Sequence, residues 1–229
     1  KFSAHIGGKD LTFSNFYCCG YDYFITEACE YKKNFLRLKP DVAVILNSDA
    51  DHLECYGSEE ALKSAYVEFS ESAKRTVALL GDLPQLSGIS FGFEQSAEYY
   101  AKNIKTHKGI CTFTAYERNE KLGNISLNVF GKHNVLNALA AIAVTRCFGI
   151  SFEQIKAGLN SFIGVERRFE KFCETDGILY YADYAHHPNE LRASLKTARS
   201  ITKGKLFVVF QPRTCSLTKL LFGQYVRVL

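Results

Sequence analysis

Five consecutive apolar residues, Val42-Ala-Val-Ile-Leu46, run between Pro40 and a polar stretch of asparagine, serine and aspartate. A strand with no polar alternation has to be covered on both faces, the condition of a parallel sheet with helices on either side. The neighbouring segments agree. Tyr23–Thr26 reads as a short buried strand, followed by a helix around Lys32–Leu38 that Pro40 closes. Ser58 is placed to cap a helix whose apolar face is Ala61, Leu62, Ala65, Tyr66 and Phe69. Thr76–Leu80 reads as the next strand. The succession predicts βαβαβ order in a doubly wound sheet.

The middle of the chain changes character. Tyr99–Lys105, Ile110–Glu117 and Lys121–Phe130 read as antiparallel strands, the last two joined by a turn around Arg118-Asn119-Glu120. Val135–Phe148 is apolar nearly all round and reads as a buried helix. Ser151-Phe-Glu-Gln154 is a capping box that opens a second helix ending near Leu159. Near Ile163-Gly164 a boundary falls. Beyond it, strand Ile178–Asp183, a helix with Pro188 in its first turn and strand Lys205–Phe210 predict one βαβ unit of another parallel sheet.

Composition narrows the function classes. A net charge of +4 with 23% charged and 14% aromatic residues describes a globular chain and lacks the basic stripe of a nucleic-acid binder. No run of about 18 apolar residues exists for a membrane span. Neither terminus carries a signal peptide or a lipidation motif. The eight cysteines form no Cys-x-x-Cys pair and read as free thiols in a reducing cytoplasm. The chain begins at Lys1, contains no methionine and stops at Leu229 inside an apolar pattern, so it reads as a piece of a longer protein.

Open α/β sheets bind ligands outside the carboxyl ends of their strands. Glu27 and Glu30 follow the strand ending at Thr26, and Asn47, Asp49, Asp51 and His52 follow the strand ending at Leu46. On adjacent strands these hard donors would share one crevice and suit magnesium or manganese bridging to phosphate. They would serve equally as solvated loop residues and helix caps. His133, Asn134 and Asn137 stand at the amino end of the buried helix, where they would either meet a polar ligand or, for Asn134, cap the helix. Arg167 and Arg168 could clamp a phosphate at the boundary or pair with Glu166 and Glu170. Asp183-Tyr-Ala-His186-His-Pro188 lies at a strand's carboxyl end, and its combination of residues favours function. No Walker-type loop, dinucleotide fingerprint or serine-hydrolase elbow is present.

Six motifs, in order, resemble the Mur ligases: Thr26-Glu-Ala-Cys-Glu30; Leu38-Lys-Pro-Asp41; Asn47 with Asp51-His52; Gly131-Lys-His-Asn-Val-Leu-Asn137; Glu166-Arg-Arg-Phe-Glu170; and Asp183–Pro188. The resemblance implies ATP-dependent amide-bond synthesis in bacterial cell-wall assembly. The lactyl carboxylate of UDP-N-acetylmuramate is phosphorylated and the amine of L-alanine attacks the acyl phosphate. It further implies a cytoplasmic bacterial protein with ATP and Mg2+ as cofactors, those two small-molecule substrates, and no nucleic-acid or membrane partner. Glu27 and His52 would hold magnesium and, with Arg168, form the catalytic set. His133, Asn134 and Asn137 would face adenine, Arg167 and Arg168 the phosphates, and Asp183 the nucleotide. Glu30, His186 and Arg213 would lie on the substrate side.

The implied fold is α/β. Residues 1–163 would form a mostly parallel, ATPase-type central domain with a small antiparallel extension, lacking its amino-terminal phosphate loop. Residues 164–229 would open a Rossmann-like carboxyl-terminal domain. Without the loop and the UDP-binding domain, the chain alone would not turn over ATP. One stretch departs from the family pattern: Gln211-Pro-Arg213-Thr-Cys215-Ser-Leu217 carries Arg213, Cys215 and Leu217 where His, Tyr and Arg are usual. That leaves two rivals, a ligase adding a recycled murein peptide and a non-catalytic homologue that only binds nucleotide.

Overall fold

The computed structural model describes every residue except Asp51, which belongs to the predicted donor loop after Leu46. Strand β1 (Phe2–Asp10) forms the centre of a three-stranded sheet. Strand β2 (Ser14–Cys18) returns antiparallel beside it, through a turn in which Asp10 Oδ1 accepts from the amides of Thr12 and Phe13 at 2.7 and 3.2 Å. Strand β3 (Tyr23–Thr26) pairs parallel with β1, from Phe2 opposite Tyr23 to His5 opposite Thr26. The predicted strand therefore exists, but Tyr23, Phe24 and Ile25 are exposed where burial was expected, and it does not pair with the apolar strand at 42–45. Residues 2–10 carry the hydrogen-bonding edge it needs, and their pattern predicted no strand.

The segment Tyr31–Arg37 is a 3-10 turn, where an α-helix was expected, with Lys32 and Lys33 at φ 52° and 59°. Two residues in the left-handed region interrupt the α-helical ladder. Phe35, 1% exposed, anchors the turn against Phe69 and the edge of Tyr66, at centroid distances of 5.0 and 5.5 Å.

The large sheet has the order β4–β5–β6–β7–β8–β9. Strand β4 (Val42–Ile45) is followed by the short helix α1 (Leu53–Tyr56) and by α2 (Glu59–Glu71), capped by Ser58 Oγ accepting from Ala61 N at 3.2 Å. Leu62, Ala65 and Phe69 bury the predicted face of α2. Strands β5 (Arg75–Leu79), β6 (Ile89–Gly92) and β7 (Tyr99–His107) continue the sheet in parallel. Strand β8 (Ile110–Glu117) runs antiparallel to β7, and β9 (Glu120–Phe130) closes the order. The β8–β9 turn holds Arg118 and Asn119 at φ 46° and 74°, the pair of positive values that a two-residue hairpin demands.

Helix α3 (His133–Cys147) packs on β5, β6 and β7 through Val135, Leu139 and Ile142, each at 0% exposure. Helix α4 (Phe152–Ser161) opens on the predicted capping box, with Ser151 and Gln154 satisfying each other's backbone amides. The hairpin of β10 (Glu170–Thr175) and β11 (Ile178–Ala182) follows, with Phe169 stacked on Tyr181 and Phe130 tilted or edge-on to both, the three ring centroids within 6.0 Å of one another.

Helix α5 (Pro188–Ile201) has Pro188 in its first turn as predicted. The strand expected at Lys205–Phe210 is not formed, and Val209 is fully exposed. Its composition suits a strand, but a strand exists only against a hydrogen-bonding neighbour, and among the described residues this segment pairs with none. The chain then forms α6 (Cys215–Val228), where continuation of a sheet was expected. Thr214 Oγ caps it by accepting from Leu217 N at 3.2 Å, and Leu217, Leu221 and Tyr225 pack on Leu191 of α5.

By contact density the chain forms two compact units. One comprises Lys1–Glu27, Val129–Gly131 and Ile163–Leu229; the other comprises Ala28–Asn128 and Lys132–Phe162.

Candidate functional site

In the unit containing β1–β3, Glu27 immediately follows β3. Its amide donates to His5 O at 3.1 Å, and its Oε2 accepts from Gly7 N at 2.7 Å. A Cβ on Gly7 would stand 2.6–2.8 Å from the carboxylate atoms of Glu27. Glycine lets the β1 backbone close on this carboxylate, so a local signal at residue 27 depends on a partner twenty residues earlier.

The same unit gathers a cationic cluster around the Asp183–Pro188 motif. Tyr184 N donates to Arg167 O at 2.7 Å, and the Arg167 guanidinium lies 4.7 Å from the Tyr184 ring centroid. Arg213 approaches the same ring at 5.9 Å and places a guanidinium nitrogen 2.9 Å from His186 Nε2. Arginine can only donate, so Nε2 is the acceptor. The proton of His186 then sits on Nδ1, which donates to Tyr184 O at 3.0 Å. Glu190 Oε2 accepts from the amides of His186 and His187 at 2.9 and 3.1 Å, and its Oε1 lies 3.6 Å from Arg168. Asp183 is held at both oxygens, by Ala185 N at 2.9 Å and Ser194 Oγ at 2.7 Å. Tyr225 of α6 donates to His186 O at 2.6 Å. Leu217 points away from all of this, into the α5–α6 core.

In the other unit, His52 sits at φ 55° in the position before α1, without a side-chain capping bond. Its Nε2 is 3.8 Å from Glu30 Oε1, its Nδ1 is 3.4 Å from Glu54 Oε1, and Tyr31 lies 5.1 Å from its ring. Tyr56 donates to Glu30 O at 2.6 Å. Burial, and then the charge of Glu30, push its hydroxyl up to about 12. After β5, Asp82 has a buried Oδ2 without a hydrogen-bond partner among the described residues. Its carboxyl is raised above the usual range by burial and the nearby Asp49, against a hydrogen bond from Ser48.

At the amino end of α3, Asn137 Nδ2 donates to Asn134 Oδ1 at 2.9 Å, and Asn134 Nδ2 lies 3.3 Å from His133 Nε2. The capping alternative for Asn134 does not hold. The cap position is Lys132, and Asn134 lies inside the helix with its amide committed to Asn137.

The structure therefore brings together Arg167, Arg168, Asp183, His186 and Arg213 in one cluster, His52 with Glu30 in a second, and His133, Asn134 and Asn137 in a third. Tyr184, Glu190 and Gly7 were missed. Glu190 was legible as the fourth member of a His187-Pro-Asn-Glu190 capping box, and Tyr184 lay within a motif already singled out. For Gly7 no local signal existed. Among the described residues no three His, Cys, Asp or Glu side chains group at metal-binding distance. Magnesium does not require such a cage, since it takes one or two carboxylates and completes its shell with phosphate oxygens and water. The orphaned Asp82 oxygen beside the β4 loop is compatible with a hard cation.

A mostly parallel sheet with polar strand-end loops, followed by a short hairpin and two helices, places the chain among the α/β proteins. Residues 5–145 match the Mur ligase middle domain, and residues 167–228 match the Mur ligase, glutamate ligase domain. The chain belongs to the Mur ligase family. It is 39% identical over 233 residues to the UDP-N-acetylmuramate–L-alanine ligase of Clostridium beijerinckii, covering 96% of this chain and 51% of that protein. It is 40% identical over 231 residues to the Clostridium acetobutylicum protein of the same name, covering 96% and 50%. The crystal structure of UDP-N-acetylmuramate-alanine ligase from Thermotoga maritima superposes with a TM-score of 0.80 at 28% identity, over 96% of this chain and 53% of that one. A murein peptide ligase from Psychrobacter arcticus shares the fold, with a TM-score of 0.67 at 22% identity over 93% and 52%. The chain thus spans about half the length of the relatives it matches. Among the described residues no helix is long and apolar enough to cross a membrane.

Proposed function

We propose that the protein carrying this chain joins L-alanine to UDP-N-acetylmuramate at the expense of ATP, in the bacterial cytoplasm. The observation that carries this is the identity of about two residues in five to ligases of that name across 96% of the chain. We assign residues 1–163 to the central domain and 164–229 to the next, a reading supported by family matches that end at 145 and resume at 167.

In this reading a carboxylate oxygen of the muramate attacks the γ-phosphorus as ADP leaves. The amine then attacks the acyl carbon, expelling phosphate and losing a proton. Such transfer needs positioning and charge neutralisation more than covalent help from the protein. Magnesium, when bound, supplies part of that neutralisation. Glu27, oriented by Gly7, and His52 are the residues we assign to hold it. Arg167 and Arg168 bind phosphate oxygens, with Arg168 completing the catalytic set and Tyr184 holding Arg167 in place. His133, Asn134 and Asn137 bind adenine, and Asp183, fixed at both oxygens, binds the nucleotide. Glu30, His186 and Arg213 serve the substrates. Arg213 is exposed, and among the described residues no carboxylate pairs with it, so it can take the carboxylate role that buried Leu217 cannot.

The test is product formation from ATP, UDP-N-acetylmuramate and either L-alanine or a murein tripeptide, using the protein that contains this chain. L-Alanine adduct is expected. Tripeptide adduct alone would assign the recycling ligase, and ADP binding without either product would assign a non-catalytic homologue. Glu27→Ala should lower turnover by about a hundredfold or more; near-normal activity would remove Glu27 from the metal site.

A further inference from the structure

The amino end of α3 carries one contact that the residues assigned above do not use. The Lys132 ammonium lies 4.5 Å from the centroid of the Phe93 ring. Phe93 is the first residue after β6, a strand held between β5 and β7 with parallel pairing on both sides. The contact places the start of α3 at the carboxyl edge of the parallel strands, the edge where open α/β sheets bind ligands. His133, Asn134 and Asn137 stand at that same end, linked to one another by their side chains.

Phe93 is half-buried, and among the described residues no carboxylate pairs with Lys132, which is exposed. Among the described residues the ring is thus the partner of the ammonium. An exposed contact of this kind biases an equilibrium by only about 2–5-fold. Stacking of a base on an aromatic ring is worth about 5-fold or more. A purine presented to the ring would therefore displace the lysine.

We infer that Phe93 is the stacking platform for the purine ring of the nucleotide and that Lys132 covers it until the base arrives. The inference rests on the nucleotide role proposed for His133, Asn134 and Asn137. Those three side chains supply hydrogen-bond donors and acceptors for the edge of a base, and Phe93 supplies its face.

The chain has no tryptophan, so Phe93→Trp introduces a single indole at the position in question. Titration with ADP should quench its fluorescence, and titration with inorganic tripolyphosphate should not. By calorimetry, Phe93→Ala should bind ADP roughly tenfold more weakly than the unaltered chain, with an unchanged melting temperature, and Phe93→Trp should retain the affinity. Equal ADP affinity in Phe93→Ala and the unaltered chain, together with loss of binding in Asn134→Ala, would overturn the platform and leave the nucleotide reading standing. ADP binding that neither substitution weakens would overturn both. If Phe93→Ala does not fold, the indole signal decides: quenching by ADP supports the platform, and bound ADP without quenching refutes it.

Discussion

Replacing Gly7 with alanine separates the positioning of Glu27 from the stability of the fold. Gly7 lies within β1 and its backbone accepts a side chain without strain. The added Cβ, however, would stand 2.6 Å from Glu27 Oε1 and 2.7 Å from Oε2. Ordinary contact begins near 3.5 Å, so the carboxylate has to retreat by roughly 0.8 Å. It is the exposed end of a flexible side chain, so the retreat is cheap for the fold. The hydrogen bond lost from Gly7 N to a charged acceptor costs at most about 1 kcal/mol at this exposure. The lower backbone entropy of alanine in the unfolded chain offsets about 0.5–1 kcal/mol. The melting temperature should therefore move by no more than about 4 °C. Catalysis has no such tolerance, because a misplacement near 1 Å costs about a hundredfold in rate. The expected outcome in the protein containing this chain is turnover lowered about a hundredfold with nearly unchanged melting, measured by ADP release across a magnesium titration. Normal turnover with an unaltered magnesium dependence would refute the coupling of Gly7 to Glu27.

Tyr56 provides an alkaline test. Its folded-state value of about 12 stands above the ordinary 10.0, so its contribution is intact below pH 10 and is lost as pH rises toward 12. Urea unfolding should show this alkaline loss in the unaltered chain and a flatter profile in Tyr56→Phe; identical profiles would exclude the assignment. Asp82 is raised above 3.8 by burial, so its neutral form stabilises the fold at low pH and the gain is lost as pH rises through its folded value. Asp82→Asn should accordingly raise the urea midpoint at neutral pH in the absence of magnesium, and a lower midpoint would show that its charge is compensated. Leu139→Ala removes a side chain at 0% exposure from the α3–sheet contact and should cost about 2–5 kcal/mol by denaturant unfolding. A loss well under 1 kcal/mol would mean that the contact is not part of the core.

Much of the fold could be read locally. The spacing of Leu62, Ala65 and Phe69 with Ser58 before it, the capping box at Ser151, Pro188 in a first turn and the positive-φ hairpin at Arg118-Asn119 each express an energy settled within a few residues. Helix α6 was legible on the same terms, from Thr214 followed by Leu217, Leu221 and Tyr225, and was passed over because the preceding apolar run suggested a sheet.

The failures share a different cause. Whether Tyr23–Thr26 joins β4 or β1 depends on which distant edge offers hydrogen bonds, and an apolar segment such as 205–210 is a strand only where a neighbour exists. The site divides along the same line. Residue types and motif order marked Glu27, His52, the His133–Asn137 group, Arg167, Arg168, Asp183, His186 and Arg213, because chemistry limits which side chains can serve a phosphate, a metal or a base. Tertiary structure alone decided that Gly7 closes on Glu27 across twenty residues, that Arg213 reaches His186 across 27 and that Asn134 bonds Asn137 in place of capping its helix. The sequence by itself determined the family and the chemical vocabulary; only the fold decided the partners. Caps and periodicity are paid within one turn of chain, whereas a pairing between distant residues is set by the packing of everything between them.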